Sequence, residues 1–380
     1  MVFTGMIINS GLFWRVLRPD AIRVWRYKEV RERLQHYYLV MTNNRPAKYR
    51  VVKRIPVEEK LDELSWEELW KLHDEKSKEF REFYDEVIDK GVDIDKERVP
   101  EVSFLDLKIS IVEEMIKKCM FCEWRCGVNR LKGAIGRCGL DWRTRISSAF
   151  LHIGEEAPLI PSGTIFFTGC SFRCVFCQNW EISTDPDNGE EVTPEELAKI
   201  AIKLRNMGAR NINYVGGNPD QQLHTIIKSL KYMDVNIPLL WNSNFYMTTE
   251  SMKLLVDIID IWLPDFKYGN DNCAWRLSKV KKYFSVVSRN HLIAYQHGDM
   301  IIRHLVLPNH LECCTEPVLK WISDNCPNAL VNVMDQYRPE HIVLLHPEEY
   351  KDLSRGLTSA EIRRAYSIAK DLGLCFEYVS

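Results

Sequence analysis

Short apolar runs alternate with amphipathic helical patterns from residue 161 to the end of the chain. Six runs have the length and composition of buried strands, at 164–168, 211–215, 239–242, 261–266, 300–307 and 329–334. Helical patterns lie between them, at 193–206, 221–231, 249–259, 272–284 and 316–325. This alternation predicts an α/β fold with a parallel sheet and right-handed crossovers. Six units are fewer than the eight of a closed barrel, so we expect an open, partial (β/α)6 barrel.

The chain divides by pattern into three regions, 1–110, 111–160 and 161–380. In the first, short apolar runs at 37–41 and 49–52 look like strands. From 65 to 90 apolar residues recur every three to four positions, and Ser65 with Glu68 forms a capping-box signature. This predicts a long amphipathic helix ending near Gly91, followed by a second helix over 104–118. The first region holds no catalytic motif, so we expect a mostly helical packing or docking module.

The composition of the chain excludes some classes of protein. The 380 residues carry 51 Lys and Arg against 53 Asp and Glu, which argues against a chain-wide binder of nucleic acid or anionic membranes. A basic run at 45–54 is interpreted as a solvent-exposed strand edge, with tRNA contact as the alternative. The apolar run at 2–14 lacks the features of a signal peptide, and no stretch is long enough to span a membrane. We therefore expect a cytoplasmic protein, in which 12 cysteines are metal ligands, redox groups or buried apolar residues.

Three of these cysteines, Cys170, Cys174 and Cys177, follow the first predicted barrel strand with the spacing CxxxCxxC. Three thiolates this close can bind one corner of a [4Fe–4S] cluster and leave the fourth iron free for another ligand. A zinc site would need a fourth ligand, and the other cysteines are distant in sequence. The spacing is the signature of the radical S-adenosylmethionine (SAM) superfamily, which the sequence resembles here.

The resemblance implies that S-adenosyl-L-methionine binds the free iron, and that its reductive cleavage yields a 5′-deoxyadenosyl radical that abstracts hydrogen from a substrate. In the same family an aromatic residue at the position of Phe176 packs on the adenine. Gly216 and Gly217 look like the start of the family's GGE motif, although Asn218 replaces the usual Glu. The remaining matching positions lie at later strand ends. The resemblance implies cofactor contacts for Asn242, Asn244 and Asp265, and catalytic or carboxylate-neutralising roles for Lys267 and Arg303.

Several longer matches make the resemblance more specific. The stretches 177–180, 263–268, 302–308 and 334–339 are similar to pyruvate formate-lyase activating enzymes, in a branch whose substrate is uncertain, and the similarity covers 115–380. It implies an electron donor of the ferredoxin or flavodoxin type, and a glycine or other residue of a partner protein as the target. A small molecule or a nucleoside is the alternative target, and a non-catalytic metal-binding scaffold is the alternative of another class. The chain leaves no room for a ferredoxin-like insert after Trp180, and Phe245 replaces a small residue, so the activating function does not transfer directly.

A second cysteine group, Cys119, Cys122, Cys126 and Cys138, lies in the region 111–160. Four thiolates can close a structural zinc site or a second [4Fe–4S] cluster, and the spacing does not decide between them. A zinc site would be structural, whereas a cluster could relay electrons. The other five cysteines lack metal-binding spacing and are expected to be mainly small core residues; they are Cys273, Cys313, Cys314, Cys326 and Cys375.

Overall fold

The computed structural model describes residues 13–380. The apolar run at 2–14 therefore lies almost entirely outside the described part of the chain. None of the described helices is both long enough and apolar enough to cross a membrane.

An eight-stranded sheet forms the centre of the molecule. Its strands are β1 (Arg145–His152), β2 (Ser162–Phe167), β3 (Glu190–Glu191), β4 (Ile212–Gly216), β5 (Leu239–Ser243), β6 (Ile261–Pro264), β7 (Asp299–Leu305) and β8 (Leu330–Met334). They lie in the order β3-β1-β2-β4-β5-β6-β7-β8. From β2 to β8 the neighbours are parallel, which confirms the six predicted strands and the partial barrel. The two added strands extend one edge antiparallel, β1 beside β2 and β3 beside β1.

Sixteen α-helices are described around this sheet. Those of the first region are α1 (Phe13–Leu17), α2 (Asp20–Arg23), α3 (Lys28–Arg33), α4 (Gln35–Met41), α5 (Lys48–Val52), α6 (Trp66–Lys90) and α7 (Phe104–Lys117). Those of the barrel are α8 (Trp180–Ser183), α9 (Pro194–Asn206), α10 (Leu223–Ser229), α11 (Thr249–Val256), α12 (Asp271–Ser278), α13 (Tyr283–Tyr295), α14 (Glu316–Asn325), α15 (Ile342–Leu345) and α16 (Ser359–Asp371). The capping box of Ser65 and Glu68 begins α6, and Gly91 ends it in the left-handed conformation, as predicted.

Two predictions of local structure were wrong. The runs at 37–41 and 49–52 are the helices α4 and α5, in which each segment satisfies backbone hydrogen bonds within itself and needs no neighbouring strand. The predicted helix at 272–284 is two helices, α12 and α13, since Lys279 and Lys282 between them take positive φ values of 55° and 48°.

The basic run at 45–54 is not a solvent-exposed strand edge. All five residues of α5 are buried. The Lys53 ammonium donates to the carbonyl of Met233 at 2.9 Å and pairs with Asp234 at 3.0 Å. The positive charge of Lys53 is therefore neutralised by contacts within the fold.

The helices of the first region pack beneath and beside the barrel. The backbone amide of Tyr37 in α4 donates to Asp299 at the start of β7, at 2.7 Å. The His36 ring contacts Asp260 just before β6, at 2.8 Å. On the outside, Lys108 of α7 pairs with Asp257 after α11 at 2.9 Å, with both side chains almost fully buried. Helix α4 thus lies at the amino ends of the strands, opposite the edge where the cysteine motif begins, and α7 lies on their flank.

Candidate active site

The cysteine motif forms a loop directly after β2. Gly169 begins it with a φ of +77°, and a Cβ there would lie 2.7 Å from the Leu140 side chain, so only glycine fits. Polar groups contact the sulfur atoms: the Ser278 hydroxyl donates to Cys174 at 2.9 Å, and Cys177 lies 3.3 Å from a second hydroxyl. Burial raises the pKa of Cys174 to about 11 and also raises that of Cys177. Hydrogen-bond donors near buried sulfurs suit thiolates bound to a metal.

A cavity of about 260 Å³ opens at the carboxyl ends of the parallel strands. Every residue assigned to the catalytic cluster, to the cofactor or to catalysis from the sequence lines it. These are Cys170, Cys174, Cys177, Phe176, Gly216, Gly217, Asn218, Asn242, Asn244, Asp265, Lys267 and Arg303. The carboxyl ends of five strands thus bring together side chains that are up to 133 residues apart in the sequence.

Gly216 and Gly217, at the end of β4, are required because the backbone packs closely there. A Cβ on Gly216 would lie 2.2 Å from the backbone nitrogen of Phe167, and Gly216 has a φ of +119°. A Cβ on Gly217 would lie 2.4 Å from the carbonyl oxygen of Gly169. Backbone cannot move away as a flexible side chain can. These glycines therefore allow the turn to pack against the base of the cysteine loop.

Three asparagines connect this turn to the next strand end. The side-chain oxygen Oδ1 of Asn218 accepts from the backbone amide of Asn244 at 3.1 Å, and its side-chain Nδ2 donates to the Gln221 side chain at 3.1 Å. The Asn244 amide contacts the Cys170 sulfur at 3.6 Å. The Nδ2 of Asn242 is buried and has no partner among residues 13–380. Because Asn242 lines the cavity, this donor suits an acceptor on a bound ligand.

The charged side chains of the cavity are already paired. Lys267 donates to Asp265 two residues before it, and the backbone amide of Lys267 donates to the Tyr283 hydroxyl at 2.7 Å. Arg303 forms ion pairs with both Glu155 and Glu156, the latter through two contacts of 2.7 Å. Its guanidinium is therefore engaged by two buried carboxylates in the interior of the barrel.

These ion pairs explain the direction of two pKa shifts. Burial lowers the pKa of Arg303, but the carboxylates of Glu156 and Glu155 raise it well above its ordinary value. For Glu155 burial raises the pKa, but the Arg303 charge lowers it to about 2. Arg303 and Glu155 are therefore both charged at neutral pH.

Sequence reasoning missed three carboxylates in or near this interior. Glu155 and Glu156 precede β2, and the adjacent acidic pair before a strand was the available signal. Asp220 is buried just after the glycine turn, where it accepts a hydrogen bond from the Trp241 indole at 3.1 Å. Burial raises the pKa of Asp220 to about 6.

The segment after β8 covers one side of the cysteine loop. The ring of Phe176 packs edge-on against Tyr337, with 5.9 Å between the ring centroids. The His341 ring stacks on Trp180 at 5.4 Å and lies 3.3 Å from the carbonyl of Cys174. This segment holds the cysteine loop in place and leaves uncovered the face of the cavity that Phe176 lines.

The second cysteine group gathers beside the first. Burial, followed by the nearby sulfur of Cys138, raises the pKa of Cys122, and Cys119 and Cys126 contribute in the same direction. Backbone contacts bring the four residues together: the amide of Gly127 donates to the carbonyl of Cys119 at 3.0 Å, and the amide of Arg137 donates to the Cys126 sulfur at 3.3 Å. This segment is fixed to the loop after β5, since the backbone amide of Glu123 donates to the carbonyl of Tyr246 at 3.0 Å.

The donor set at the cavity fits the group that the motif implies. Three cysteines of one loop lie at its wall, which suits a cluster with one iron left free. The unpartnered amide of Asn242 can donate to a carboxylate of a bound cofactor. The ring of Phe176 supplies an apolar face for a base.

Comparison with known proteins agrees with this arrangement. The family model of the radical SAM superfamily matches residues 164–322. An uncharacterized protein of Methanocaldococcus jannaschii is 44% identical over 354 residues, which cover 91% of this chain and 99% of that protein. The pyruvate formate-lyase 1-activating enzyme of Escherichia coli is 26% identical over 149 residues, 38% of this chain and 60% of that enzyme.

Among solved structures, Streptococcus suis SuiB bound to S-adenosylmethionine matches with a TM-score of 0.39 and 13% identity, over 55% of this chain and 47% of that one. That similarity is slight. The family match contains the three-cysteine loop and the strand ends from β2 to β7 that line the cavity. The chain belongs to the radical SAM superfamily.

Proposed function

We propose that this protein is an enzyme that cleaves S-adenosyl-L-methionine reductively, with Cys170, Cys174 and Cys177 as the ligands of a [4Fe–4S] cluster. The observation that carries the proposal is that one cavity brings together all of the cofactor and catalytic residues assigned from the sequence. Superfamily membership supports the same radical chemistry. When bound, the cluster and the cofactor supply a 5′-deoxyadenosyl radical that removes a hydrogen atom from the substrate.

The residues of the chain bind and orient the cofactor. The free Nδ2 of Asn242 donates to its carboxylate, and Asn244 keeps the cysteine loop and the glycine turn in register. Phe176 provides the surface for the adenine. Lys267 and Asp265 form an ion pair at the wall, where the ammonium also attracts an anionic group of the cofactor. Arg303 organises the interior through Glu155 and Glu156 and so acts as a positioning residue.

We infer that the substrate is a residue on an exposed loop of a partner protein. The cavity reaches solvent at the cysteine loop, where its lining residues Gln178 and Asn179 are exposed. Helix α4 lies at the opposite end of the strands, and no described residue of the first 110 lines this cavity. The partial similarity to a pyruvate formate-lyase activating enzyme is consistent with a protein target.

Anaerobic reconstitution tests the catalytic proposal. The full chain is loaded with iron and sulfide, reduced with dithionite and incubated with S-adenosyl-L-methionine, and 5′-deoxyadenosine is measured. We expect release by the wild type and by Cys375→Ser, a thiol outside both cysteine groups, and none by Cys174→Ser. Absence of 5′-deoxyadenosine from the fully loaded wild type, with and without cell extract, would support a non-catalytic scaffold instead.

Isotope tracing tests the substrate class. An extract from cells grown in fully deuterated medium is separated by ultrafiltration into macromolecules and small molecules, and each fraction is added to the reconstituted enzyme. Deuterium in 5′-deoxyadenosine after addition of the ribonuclease-treated macromolecular fraction supports a protein substrate. Deuterium from the small-molecule fraction alone identifies a small molecule, and a signal lost on ribonuclease treatment identifies RNA.

We further propose that the four-cysteine segment holds a second [4Fe–4S] cluster, which passes electrons from a ferredoxin- or flavodoxin-type donor. The support is a direct contact between the two cysteine segments, in which Arg173 donates to the carbonyl of Arg137 at 2.8 Å. These residues are sequence neighbours of Cys174 and Cys138. Iron content decides the matter: about eight irons per chain support a relay, whereas about four irons leave the segment to zinc.

A further inference from the structure

Three of the cysteines that lack metal-binding spacing come together with a histidine. Cys273 lies in the first turn of α12, and His310, Cys313 and Cys314 lie in the segment after β7. The Cys313 sulfur is 3.8 Å from Cys273, 3.9 Å from Cys314 and 3.2 Å from Nδ1 of His310. Nδ1 of His310 is also 3.8 Å from the Cys273 sulfur. All four ligand atoms lie within 4.8 Å of one another.

These distances match the edges of a tetrahedron around one small ion. With Zn–S of about 2.3 Å and Zn–N of about 2.0–2.1 Å, tetrahedral angles place sulfurs about 3.8 Å apart and sulfur and nitrogen about 3.6 Å apart. The four measured separations lie within about 0.4 Å of these values. A four-iron cluster would need wider separations, because each cysteine then binds a different iron. Three thiols and one imidazole are a ligand set typical of structural zinc.

The surroundings of His310 are those of a metal-binding histidine. Its Nδ1 faces the sulfurs, while its Nε2 lies 2.8 Å from the carboxylate of Asp352. Such a carboxylate fixes the ring orientation and tautomer of histidines that bind metals. Asp352 is in turn held by Arg276 through two hydrogen bonds of 2.6 Å. Arg276 is one turn after Cys273 on α12, so this outer shell links the same two segments as the ligands do.

The backbone and its polar neighbours also fix the sulfurs. The Asn270 amide donates to the Cys273 sulfur at 3.4 Å and to the carbonyl of Cys313 at 2.8 Å. A Cβ on Gly269 would lie 2.6 Å from that same carbonyl oxygen, so the two segments can approach this closely only with glycine there. Three thiolates and a divalent ion would carry one net negative charge. The guanidinium of Arg276, on the same helix, neutralises the carboxylate of Asp352, so that this carboxylate adds no unpaired negative charge beside the site.

We propose that Cys273, His310, Cys313 and Cys314 form a closed tetrahedral zinc site, separate from both cysteine groups identified by sequence spacing. The site joins the start of α12 to the segment after β7. The other end of α12 carries Ser278, whose hydroxyl donates to Cys174 in the cavity. The zinc therefore stabilises the wall behind the catalytic cysteines and takes no part in the chemistry. This assignment stands on geometry alone and does not depend on the proposed enzymatic activity.

Metal analysis of the full chain tests the site. Wild type, Cys313→Ser and Cys375→Ser are purified without oxygen, and zinc and iron are measured by mass spectrometry. We expect Cys313→Ser to lose about one zinc per chain while its iron content stays the same. Cys375→Ser, which removes a partly buried thiol outside the cluster, should keep both metals. The variant Cys126→Ser measures separately how much zinc the four-cysteine segment holds. Zinc bound by that segment is therefore not mistaken for zinc at the proposed site.

A second variant keeps the proposal testable if Cys313→Ser fails to fold. Asp352→Asn retains all four ligands, and we expect it to bind zinc about 10–100 times more weakly in competition with a chromophoric chelator. Equal zinc content in wild type and Cys313→Ser, or equal zinc affinity in wild type and Asp352→Asn, would overturn the site. A Cys273–Cys313 disulfide in the anaerobic protein would also overturn it. Loss of one iron in place of zinc would overturn the assignment to zinc.

Discussion

Arg303 offers the sharpest test of how the interior of the barrel is organised. Its guanidinium contacts two carboxylates, Glu155 and Glu156, whose side chains are only 6% and 1% exposed. Asn213 and Asn332 donate to the same carboxylates, at 2.9 Å and 2.7 Å. Arg303→Met would keep much of the side-chain volume but leave two buried negative charges without a cation. The structure therefore predicts a large loss of stability from this single substitution.

The magnitude follows from the pKa of Glu155. Arg303 and the other contacts lower this pKa from an ordinary 4.5 to about 2 in the folded protein. This lowering of the pKa stabilises the folded protein at neutral pH by an amount on the order of a few kcal/mol. Removal of one partner from a buried ion pair costs about 3–5 kcal/mol in other proteins. We therefore expect Arg303→Met to lower the free energy of unfolding by about 3–5 kcal/mol.

The pH dependence has a defined sign. Because the pKa of Glu155 is lower in the folded than in the unfolded protein, its stabilisation is complete above about pH 4.5 and declines as the pH falls towards 2. The difference in stability between wild type and Arg303→Met should therefore be largest near neutral pH. It should shrink as the pH falls through the pKa of Glu155 in the variant, which burial raises once the guanidinium is gone, and should go on shrinking towards pH 2.

Urea unfolding followed by tryptophan fluorescence measures these differences, on anaerobic preparations of equal metal content. The matched control is Arg355→Met, since Arg355 is 42% exposed and pairs with Glu361, so its loss should cost less than about 1 kcal/mol. Adding Glu155→Gln and Glu156→Gln to Arg303→Met should restore part of the stability by removing the unpaired charges. If Arg303→Met is as stable as Arg355→Met at neutral pH, the argument from buried charge is wrong.

Three further substitutions probe the cavity. Ser278→Ala removes the hydroxyl that donates to Cys174 at 2.9 Å. The reduction potential of the cluster should therefore become more negative. A titration followed by electron paramagnetic resonance measures this potential, and an unchanged value would contradict the prediction. Gly217→Ala places a Cβ 2.4 Å from a backbone oxygen and should lower the free energy of unfolding, measured by thermal denaturation, by at least about 1–3 kcal/mol. The control Gly356→Ala adds a Cβ with only ordinary contacts and should leave this free energy nearly unchanged. Asn242→Leu removes the unpartnered donor and should weaken cofactor binding in equilibrium dialysis by about 10- to 100-fold, while equal affinity would exclude that contact.

Most of the barrel and its cavity could be predicted because the signals are local. Parallel strands covered on both faces read as continuous apolar runs, and all five residues of β5 are buried. Since parallel strands end at one edge, residues just after each run were expected to meet, and they line one cavity. The assigned roles of these residues stay predictions, and Arg303 shows why: its position was foreseeable, but its two acidic partners were not.

The remaining features depend on contacts that sequence spacing does not encode. Strand β1 was missed because it lies beyond the parallel strands, where exposed and buried residues are mixed. The short runs of α4 and α5 were taken for strands because a few apolar residues fit either period. Cys273 and Cys313 are 40 residues apart, and only the pairing of β6 with β7 brings the segments that follow them together. The sequence predicted only that these cysteines are mainly small core residues, and it did not predict their grouping with His310.

The position of the first region bears on the order in which ligands bind. Helices α4 and α5 occupy the amino ends of the strands, with Tyr37 and Lys48 hydrogen-bonded to Asp299 and Asp260 there. On the proposed assignment, cofactor and substrate both enter at the carboxyl ends of the strands, beside Gln178. A macromolecular substrate bound at that entrance would prevent the cofactor and its products, which lie deeper in the cavity, from exchanging with solvent. Such an enzyme would follow a compulsory sequence, in which S-adenosyl-L-methionine enters first and its nucleoside product leaves last.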